Sequence, residues 1–437
     1  MIPAGPLLAA LAAWLALGAA AAWWAGRLQE AWWLAAVGLA GLAALDALLA
    51  RLGALPDLQR EVSGAVALGA RTPVRLRITR RSFLPLRAVV RDHPSATLVA
   101  EGLPQPLRLV GRVGAWGLVT YHVRATQRGL QQFAPAALRL RSPLALWWRQ
   151  VRIGPSQEVR VYPSFQAVAK FALLARENRL AELGIHKRQR RGEGSDFLQL
   201  REYRAGDSLR QIDWRATARL RKAISREYHD ERDQQIVFLI DHGRHMRSQD
   251  GELSHLDHAL NAVLLLAYVA LRQGDGVGLL TFGGEQRWLA PRKGPSFINV
   301  ILNTVFDLGA SLDIADPQQA AQLLMRRLNK RSLIVLITNV RDDPGDALQP
   351  ILRLAQRRHV VLLASLRERI LNDVLDELPQ DHAGALRTAA VHQYLREREL
   401  THRRIDKAGA FCLDTEPHRL PVELVNHYLA IKGSGVL

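Results

Sequence analysis

The chain has 437 residues, with 59 Lys plus Arg against 41 Asp plus Glu, a formal net charge of +18, and 48% hydrophobic residues. That balance excludes a disordered chain, and at roughly 100–200 residues per domain the length suggests about two to four units. A single cysteine, Cys412, excludes an internal disulfide framework and a Cys-x-x-Cys zinc site, and it fits a reducing compartment.

The charge is unevenly spread. The first 50 residues hold only Arg27, Glu30 and Asp46 as charged groups. Leu7 to Ala25 runs 19 residues without a charge, and Ala31 to Ala50 runs 20 with Asp46 alone. As helices these segments each cover about 28–30 Å, the thickness of a hydrocarbon core. The linker from Gly26 to Glu30 forces an antiparallel turn. Trp23, Trp24, Trp32 and Trp33 flank it, where interfacial Trp is enriched. A cleaved signal sequence would need a basic leader, and Met1 to Pro6 holds no Lys or Arg. Residues 1–52 therefore read as a transmembrane helical hairpin. Arg51, Arg60, Arg71, Arg75 and Arg77 follow the second span, so the positive-inside rule places the N-terminus and the C-terminal body in the cytoplasm. Asp46 lies one turn from the inner boundary. It reads as a carboxylate reaching the interface near Arg51, with a polar contact to a partner helix as the alternative.

Residues 56–165 carry a period of two. Pro73 to Arg80 alternates apolar and basic side chains, and Leu86–Val90, Leu107–Val110, Leu118–Arg124 and Leu138–Arg141 repeat the pattern. Gly and Pro punctuate between them, as at Gly102, Pro104, Gly111 and Gly129. Short strands at this spacing predict a β-sandwich-like domain. Its outward Arg residues stand in solvent or against anionic headgroups.

Residues 166–235 predict a helix from about Val168 to Leu183, then the basic run Lys187-Arg188-Gln189-Arg190-Arg191, then a polar segment. The basic run lacks aromatic residues on which a base could stack, so it reads as a solvated loop. The polar segment holds Arg201, Glu202, Tyr203, Gly206, Asp207, Arg210, Asp213, Trp214 and Arg219. Gly206-Asp207 is a turn signal, with Asp207 placed to cap a short helix. The alternating acids and bases read as a structural ion-pair network around Trp214, since no nucleophile stands at catalytic spacing. A reaction centre is the competing reading.

Residues 236–437 alternate apolar strands with amphipathic helices. Ile236–Asp241, Val277–Phe282, Leu333–Thr338, Val360–Ala364 and Phe411–Leu413 are the predicted strands; Leu256–Leu271 and Pro421–Lys432 are the clearest helices. This pattern predicts a parallel sheet covered on both faces, with ligands at the carboxyl ends of the strands, where Asp241 lies.

Residues 194–232 resemble the signature of the bacterial family called domain of unknown function 58, which runs that signature into a von Willebrand factor A-like domain. Gln127-Arg128-Gly129, Ser142-Pro143-Leu144 and the tail Tyr428-Leu429-Ala430-Ile431-Lys432 are similar to the family as well. The resemblance implies a multi-domain chain: a helical hairpin in the inner (cytoplasmic) membrane, a β-sandwich-like domain and a C-terminal Rossmann-type α/β domain. It also implies a MoxR-type AAA+ ATPase as partner, alongside the lipid bilayer and other membrane proteins of the same operon. Von Willebrand A domains that bind Mg²⁺ use Asp-x-Ser-x-Ser, a Thr and a second Asp. Here the first motif is Asp241-His242-Gly243-Arg244-His245, with Ser311 offered for the loop hydroxyl and Asn339 for the second Asp. Two hydroxyls and one carboxylate are missing, and Arg244 opposes a dication, so the site reads as degenerate and no metal or other cofactor is expected. His242, His245, His255 and His258 with Asp241 offer a soft-metal alternative, against scattered surface histidines. No phosphate-binding Gly-rich loop ending in Lys-Ser/Thr is present.

These observations predict a membrane-anchored, non-enzymatic adaptor facing the cytoplasm. Arg201, Glu202, Tyr203, Gly206, Asp207, Arg210, Asp213, Trp214 and Arg219 clamp against the α/β domain, and Asp241, Arg244 and Arg341 contact the partner. A metal-assisted hydrolase built on Asp207 and Asp213 is one competing class. A nucleic-acid-binding protein is the other, weakened because the positive charge is spread along the soluble chain rather than focused.

Overall fold

A computed structural model describes residues 1–23, 27–82, 85–110, 112–164, 166–176, 185, 196–204, 209, 212–229, 234–340 and 348–437. Contacts divide the chain into two compact units, Met1–Tyr162 and Pro163–Leu437. The two N-terminal apolar helices and the strands that follow them fall within the first of these units.

In the first unit, α1 (Gly5–Trp23) and α2 (Arg27–Leu52) are apolar helices. The stretch Gln29–Leu52 is long and apolar enough to cross a membrane, with a mean hydropathy of 1.9; α1 is the shorter apolar helix. Trp14 and Trp32 stack between the helices with ring centroids 4.4 Å apart. Each indole N–H donates to the other residue's carbonyl, at 3.1 and 3.0 Å. Gly18 makes room for this, since a Cβ there would lie 2.6 Å from the Trp32 indole nitrogen. Trp32 thereby holds the two helices together. Trp24 and the side chain of Trp23 lie outside the described residues.

Eleven strands follow or flank these helices among the described residues: β1 (Ile2–Pro3), β2 (Asp57–Glu61), β3 (Ala65–Ala67), β4 (Arg71–Thr79), β5 (Leu86–Pro94), β6 (Leu98–Glu101), β7 (Gln105–Leu109), β8 (Trp116–Ala125), β9 (Gly129–Arg141), β10 (Trp147–Ile153) and β11 (Gln157–Tyr162). The odd-numbered strands and β10 form a seven-stranded sheet; β2, β4, β8 and β6 form a four-stranded one. Alternation sets the buried faces. Val74, Leu76 and Ile78 of β4 and Val119, Tyr121 and Val123 of β8 are buried, as are Phe133 and Leu138 of β9 in the other sheet. A buried polar knot joins the sheets. Arg60 of β2 makes a two-pronged bond to Asp92 of β5 at 2.9 and 2.7 Å, and the Tyr121 hydroxyl donates to the same carboxylate at 2.6 Å.

Asp46 is fully buried. Its carboxylate accepts from the Ser142 hydroxyl and from the backbone N–H groups of Leu144 and Leu146. Its donors thus come from the loop between β9 and β10 rather than from Arg51 or a partner helix.

The second unit begins with α3 (Gln166–Arg176), the antiparallel pair β12 (Asp196–Glu202) and β13 (Ile224–His229), and the short helix α4 (Trp214–Leu220) between them. Its main sheet holds β14 (Gln235–Asp241), β17 (Gly276–Phe282), β18 (Trp288–Arg292), β19 (Leu333–Thr338), β20 (Val360–Leu366) and β21 (Phe411–Thr415), with the two-residue strands β15 (Gln249–Asp250) and β16 (Leu253–Ser254) outside it. The spatial order is β18-β17-β14-β19-β20-β21; β18 is antiparallel and the rest are parallel. β18 is an edge strand beyond the five predicted.

Helices cover both faces. On one side lie α5 (His255–Arg272), α6 (Phe297–Val305) and α11 (Leu420–Gly433); on the other lie α7 (Pro317–Arg327) and α8 (Leu348–Gln356). The helices α9 (Ile370–Asp376) and α10 (His382–Lys407) precede β21. Strand order reverses between β14 and β19. In such open sheets the crevice for ligands lies outside the carboxyl ends at that point.

Candidate functional site

Two places merit attention: the carboxyl edge of the sheet at the β14–β19 reversal, and the segment around α4.

At the sheet edge, parallel register sets Ile240 against Ile337, which brings Asp241 beside Thr338. Asp241 is 3% exposed. One carboxylate oxygen accepts the Gly243 N–H at 2.8 Å and the other accepts the Thr338 hydroxyl at 2.6 Å. Burial pushes the carboxyl above its usual range, while the Thr338 hydroxyl and the Gly243 N–H pull it back. Gly283 and Gly284 close the wall. Gly283 has φ +86°, and a Cβ there would lie 2.8 Å from the Gly243 nitrogen. His242 is buried with its ring nitrogens against the carbonyl oxygens of Gly309 and Glu285, at 3.2 and 2.9 Å.

The other sequence-nominated groups turn to different partners. The Ser311 hydroxyl donates to Gly283 O at 2.5 Å and accepts the Asp313 N–H at 2.9 Å, bracing two loops. Asn339 donates from its amide to Glu368 at 2.7 Å and lies 3.3 Å from His255. Arg244 is exposed, with Nε 3.3 Å from the His245 ring. Arg341 lies outside the described residues.

Mg²⁺ does not fit this donor set. Both Asp241 oxygens are engaged by protein donors, the Ser311 hydroxyl serves the loops, and Gly243 and His245 supply no hydroxyl. Nor do the four histidines converge. His242 faces carbonyls, His245 lies against Arg244, His255 faces Asn339, and His258 faces Asp250 at 3.8 Å. Among the described residues no group of three or more His, Cys, Asp or Glu is placed to hold a metal ion.

Sequence reasoning missed Thr338 and Arg398. Thr338 was legible as the last residue of its strand once parallel pairing with β14 was assumed. Arg398 was not: it is buried on the polar helix α10 and binds Asp414, Ser365 and the carbonyls of Val340 and Leu366. It thereby ties together the carboxyl ends of β19, β20 and β21. Beside it, Arg367, His392, Arg396, Glu399, His402 and Arg403 line an open cleft of about 690 Å³.

Around α4 the expected ion-pair network is not buried. Asp213 caps the helix, accepting the Ala216 N–H at 3.0 Å, and pairs with Arg226 at 2.9 Å. The Ala216 N–H and then Arg226 hold its carboxyl below the usual range. Glu202 pairs with Lys222 in solvent at 2.9 Å, and the Arg201 guanidinium donates to the Glu202 carbonyl at 3.1 Å. The Tyr203 N–H donates to Ala223 O, and Arg219 is exposed in the last turn of α4. Gly206, Asp207 and Arg210 lie outside the described residues, as does the whole basic run from 187 to 191. Trp214, expected at the centre of the network, is 69% exposed. Leu200, Leu209 and Leu220 are exposed with it, and α4 buries none of its residues. A helix whose apolar side chains face solvent is a candidate contact surface.

Residues 199–400 match the model of a family described as protein of unknown function DUF58. Uncharacterized proteins of Mycobacterium bovis and Mycobacterium tuberculosis are 25% identical over 215 residues, covering 47% of this chain and 67% of theirs. Among solved structures, an alpha-2-macroglobulin fragment of Escherichia coli is 19% identical, with a TM-score of 0.21, over 25% of this chain and 17% of its own. A CARDB domain from Pyrococcus furiosus is 13% identical, with a TM-score of 0.18, over 24% of this chain and 94% of its own. At these TM-scores the structural likenesses carry no argument.

Proposed function

We propose that the chain is a membrane-anchored, cytoplasm-facing adaptor without catalytic activity of its own, which docks a MoxR-type AAA+ ATPase in the assembly or maturation of envelope or other protein complexes. α1 and α2 form the transmembrane hairpin in a bacterial inner membrane. The second unit is a von Willebrand A-like domain with a degenerate metal site. The strand order of its sheet and the place of Asp241 at the reversal support that assignment.

The observation that carries the adaptor reading is the exposed apolar side of the α4 segment. Trp214, Leu209 and Leu220 stand in solvent on an element that matches a family model, while the acids around them serve as a helix cap and surface pairs. Burying an exposed Trp and two Leu residues at a partner's surface offers the anchor contacts on which interface energy concentrates. The Asp241 edge supports the same reading, since a carboxylate satisfied by Gly243 and Thr338 is a framing element rather than a reacting group.

The test uses the full chain in detergent and the purified MoxR-type ATPase of the same genome. Binding is expected with wild type, retained in EDTA, and lost in Trp214→Ser/Leu220→Ser without change in the melting profile. Equal affinity of wild type and the double variant would remove α4 from the interface. Absence of any complex would remove the ATPase.

A further inference from the structure

The end of α2 meets the β domain through one charged group. Asp46 sits six residues before Leu52, about 9 Å along the helix from its end. It therefore lies inside the stretch long enough to cross a membrane. A carboxylate at that depth is costly unless paired or hydrogen-bonded. Here three donors meet it: the Ser142 hydroxyl at 2.5 Å, Leu144 N–H at 2.8 Å and Leu146 N–H at 3.1 Å. The Trp147 indole donates to Ala43 O at 2.9 Å, and Arg149 donates to Ala50 O at 2.7 Å and Gly53 O at 3.3 Å. From the other side β1 pairs with β10, Ile2 against Trp148 and Pro3 against Trp147, and the Ala4 N–H donates to Leu146 O. The loop between β9 and β10 is thus stapled to the helix about two turns inside the apolar span.

The residues left outward there are apolar. Leu144 of the loop is 49% exposed, and Ile2 of β1, Leu8 of α1 and Leu48 and Leu52 of α2 are exposed as well. The loop and the start of β10 read Pro143-Leu144-Ala145-Leu146-Trp147-Trp148, flanked by Arg141 and Arg149. Apolar and indole side chains bounded by arginines match the boundary between acyl chains and anionic headgroups.

We propose that Asp46 is a latch that seats the β domain on the bilayer, with the Ser142–Leu146 loop inserted in the interfacial layer of the lipid. This rests on the reading of α2 as a membrane span and deepens it: the domain is fixed at the surface rather than hung on a flexible tether. The occupant of the apolar rim is phospholipid, because the rim is continuous with the span that lipid already surrounds.

The experiment uses the full chain in vesicles of phosphatidylcholine and phosphatidylglycerol in equal parts, in a Cys412→Ala background. An environment-sensitive dye is placed at Leu144→Cys, at Val37→Cys within the span, and at Gln127→Cys. Gln127 precedes the far end of β9, about 40 Å from the loop at the strand rise per residue. Quenching is measured with iodide in water and with a nitroxide near the headgroup end of the acyl chain. The dye at 144 should be quenched by the nitroxide and at least fivefold less by iodide than the dye at 127. Asp46→Ala should move the 144 dye into iodide reach while the 37 dye stays in lipid.

An iodide-accessible 144 dye with a lipid-quenched 37 dye would overturn the latch and leave the anchor standing. Iodide access at both would overturn the anchor as well. Protection of 144 from both quenchers would mean that protein, not lipid, covers the rim, and would overturn the proposal. A 144 dye that stays in lipid in Asp46→Ala would remove Asp46 as the latch. Asp46→Asn, which keeps an acceptor for the loop amides, should show an intermediate iodide response, so a misfolded alanine variant does not leave the question open; a response equal to wild type would overturn the role of the carboxylate charge.

Discussion

Thr338→Val probes the sheet edge most directly. The substitution keeps the β-branched shape at the end of β19 and removes only the hydroxyl that donates to Asp241 at 2.6 Å. Both residues are buried, so water does not replace the lost donor. A hydrogen bond to a charged group contributes about 1.5–3 kcal/mol net. At about 2–4 °C per kcal/mol for a unit of this size, the melting transition of the second unit should fall by about 3–12 °C near neutral pH. The loss should depend on pH. Burial raises the Asp241 carboxyl above its ordinary value, so the folded chain holds that proton more tightly than the unfolded chain. Its ionisation therefore costs stability as pH rises from the ordinary carboxylate value through the raised one, and the cost is constant above. The Thr338 hydroxyl lowers that raised value, so removing it enlarges the cost. The difference between wild type and Thr338→Val is then greatest at neutral pH and shrinks as pH falls through the raised value. Thermal unfolding across pH, in wild-type and Asp241→Asn backgrounds, measures this. A deficit that is flat with pH, or equal in the two backgrounds, would refute the account of how the carboxylate is held.

Asp92→Ala should destabilise the first unit by about 3–5 kcal/mol, because it strands the buried Arg60 guanidinium and the Tyr121 hydroxyl together. Arg60→Met/Asp92→Leu should recover in denaturant titration the part of that loss due to the stranded guanidinium, the Tyr121 hydroxyl staying unpaired, and equal losses in both variants would point to shape rather than charge. Calorimetry of the purified chain with Mg²⁺ or Mn²⁺ should show no saturable heat; a stoichiometric isotherm abolished by Asp241→Ala would restore a metal site at the sheet edge. Trp214→Ser/Leu220→Ser should leave melting unchanged by circular dichroism, since α4 buries none of its residues, and a drop in melting temperature would make the helix a packing element.

The fold was legible where burial has one period. In β4, Val74, Leu76 and Ile78 alternate with Arg75 and Arg77, and the strand forms with that face inward. In β14 and β19 every central residue is apolar, and in β20 all but Ser365 are, because both faces are covered. The polar helix α10 gave no such signal. Along its length only Val391, Arg398, Thr401 and Ile405 are buried, too sparse a stripe to stand out among its charges. Edge strand β18 has mixed exposure, and β1 and β3 have two and three residues, below any periodic window.

At the candidate site, residue types were legible and their partners were not. Asp241 at the end of an apolar strand marked the sheet edge, but a carboxylate there can face a cation, a partner or its own fold. The choice depends on which donors the register delivers, and Thr338 reaches it only because β14 and β19 run parallel with Ile240 opposite Ile337. The same holds for Asp46. Its chemistry announced a hydrogen-bonded carboxylate in an apolar helix, while its donors come from Ser142, Leu144 and Leu146, about a hundred residues further along the chain. Sequence spacing speaks for neighbours within a helical turn or across a hairpin. Beyond that, a lone acid in apolar surroundings says only that donors must exist somewhere, since an unmatched buried carboxylate would neutralise or unfold its surroundings. For Asp213 the inference ran the other way. Its many charged neighbours suggested a buried network, yet a helix cap and one arginine satisfy it at the surface, and the apolar side chains beside it are what remain unmatched.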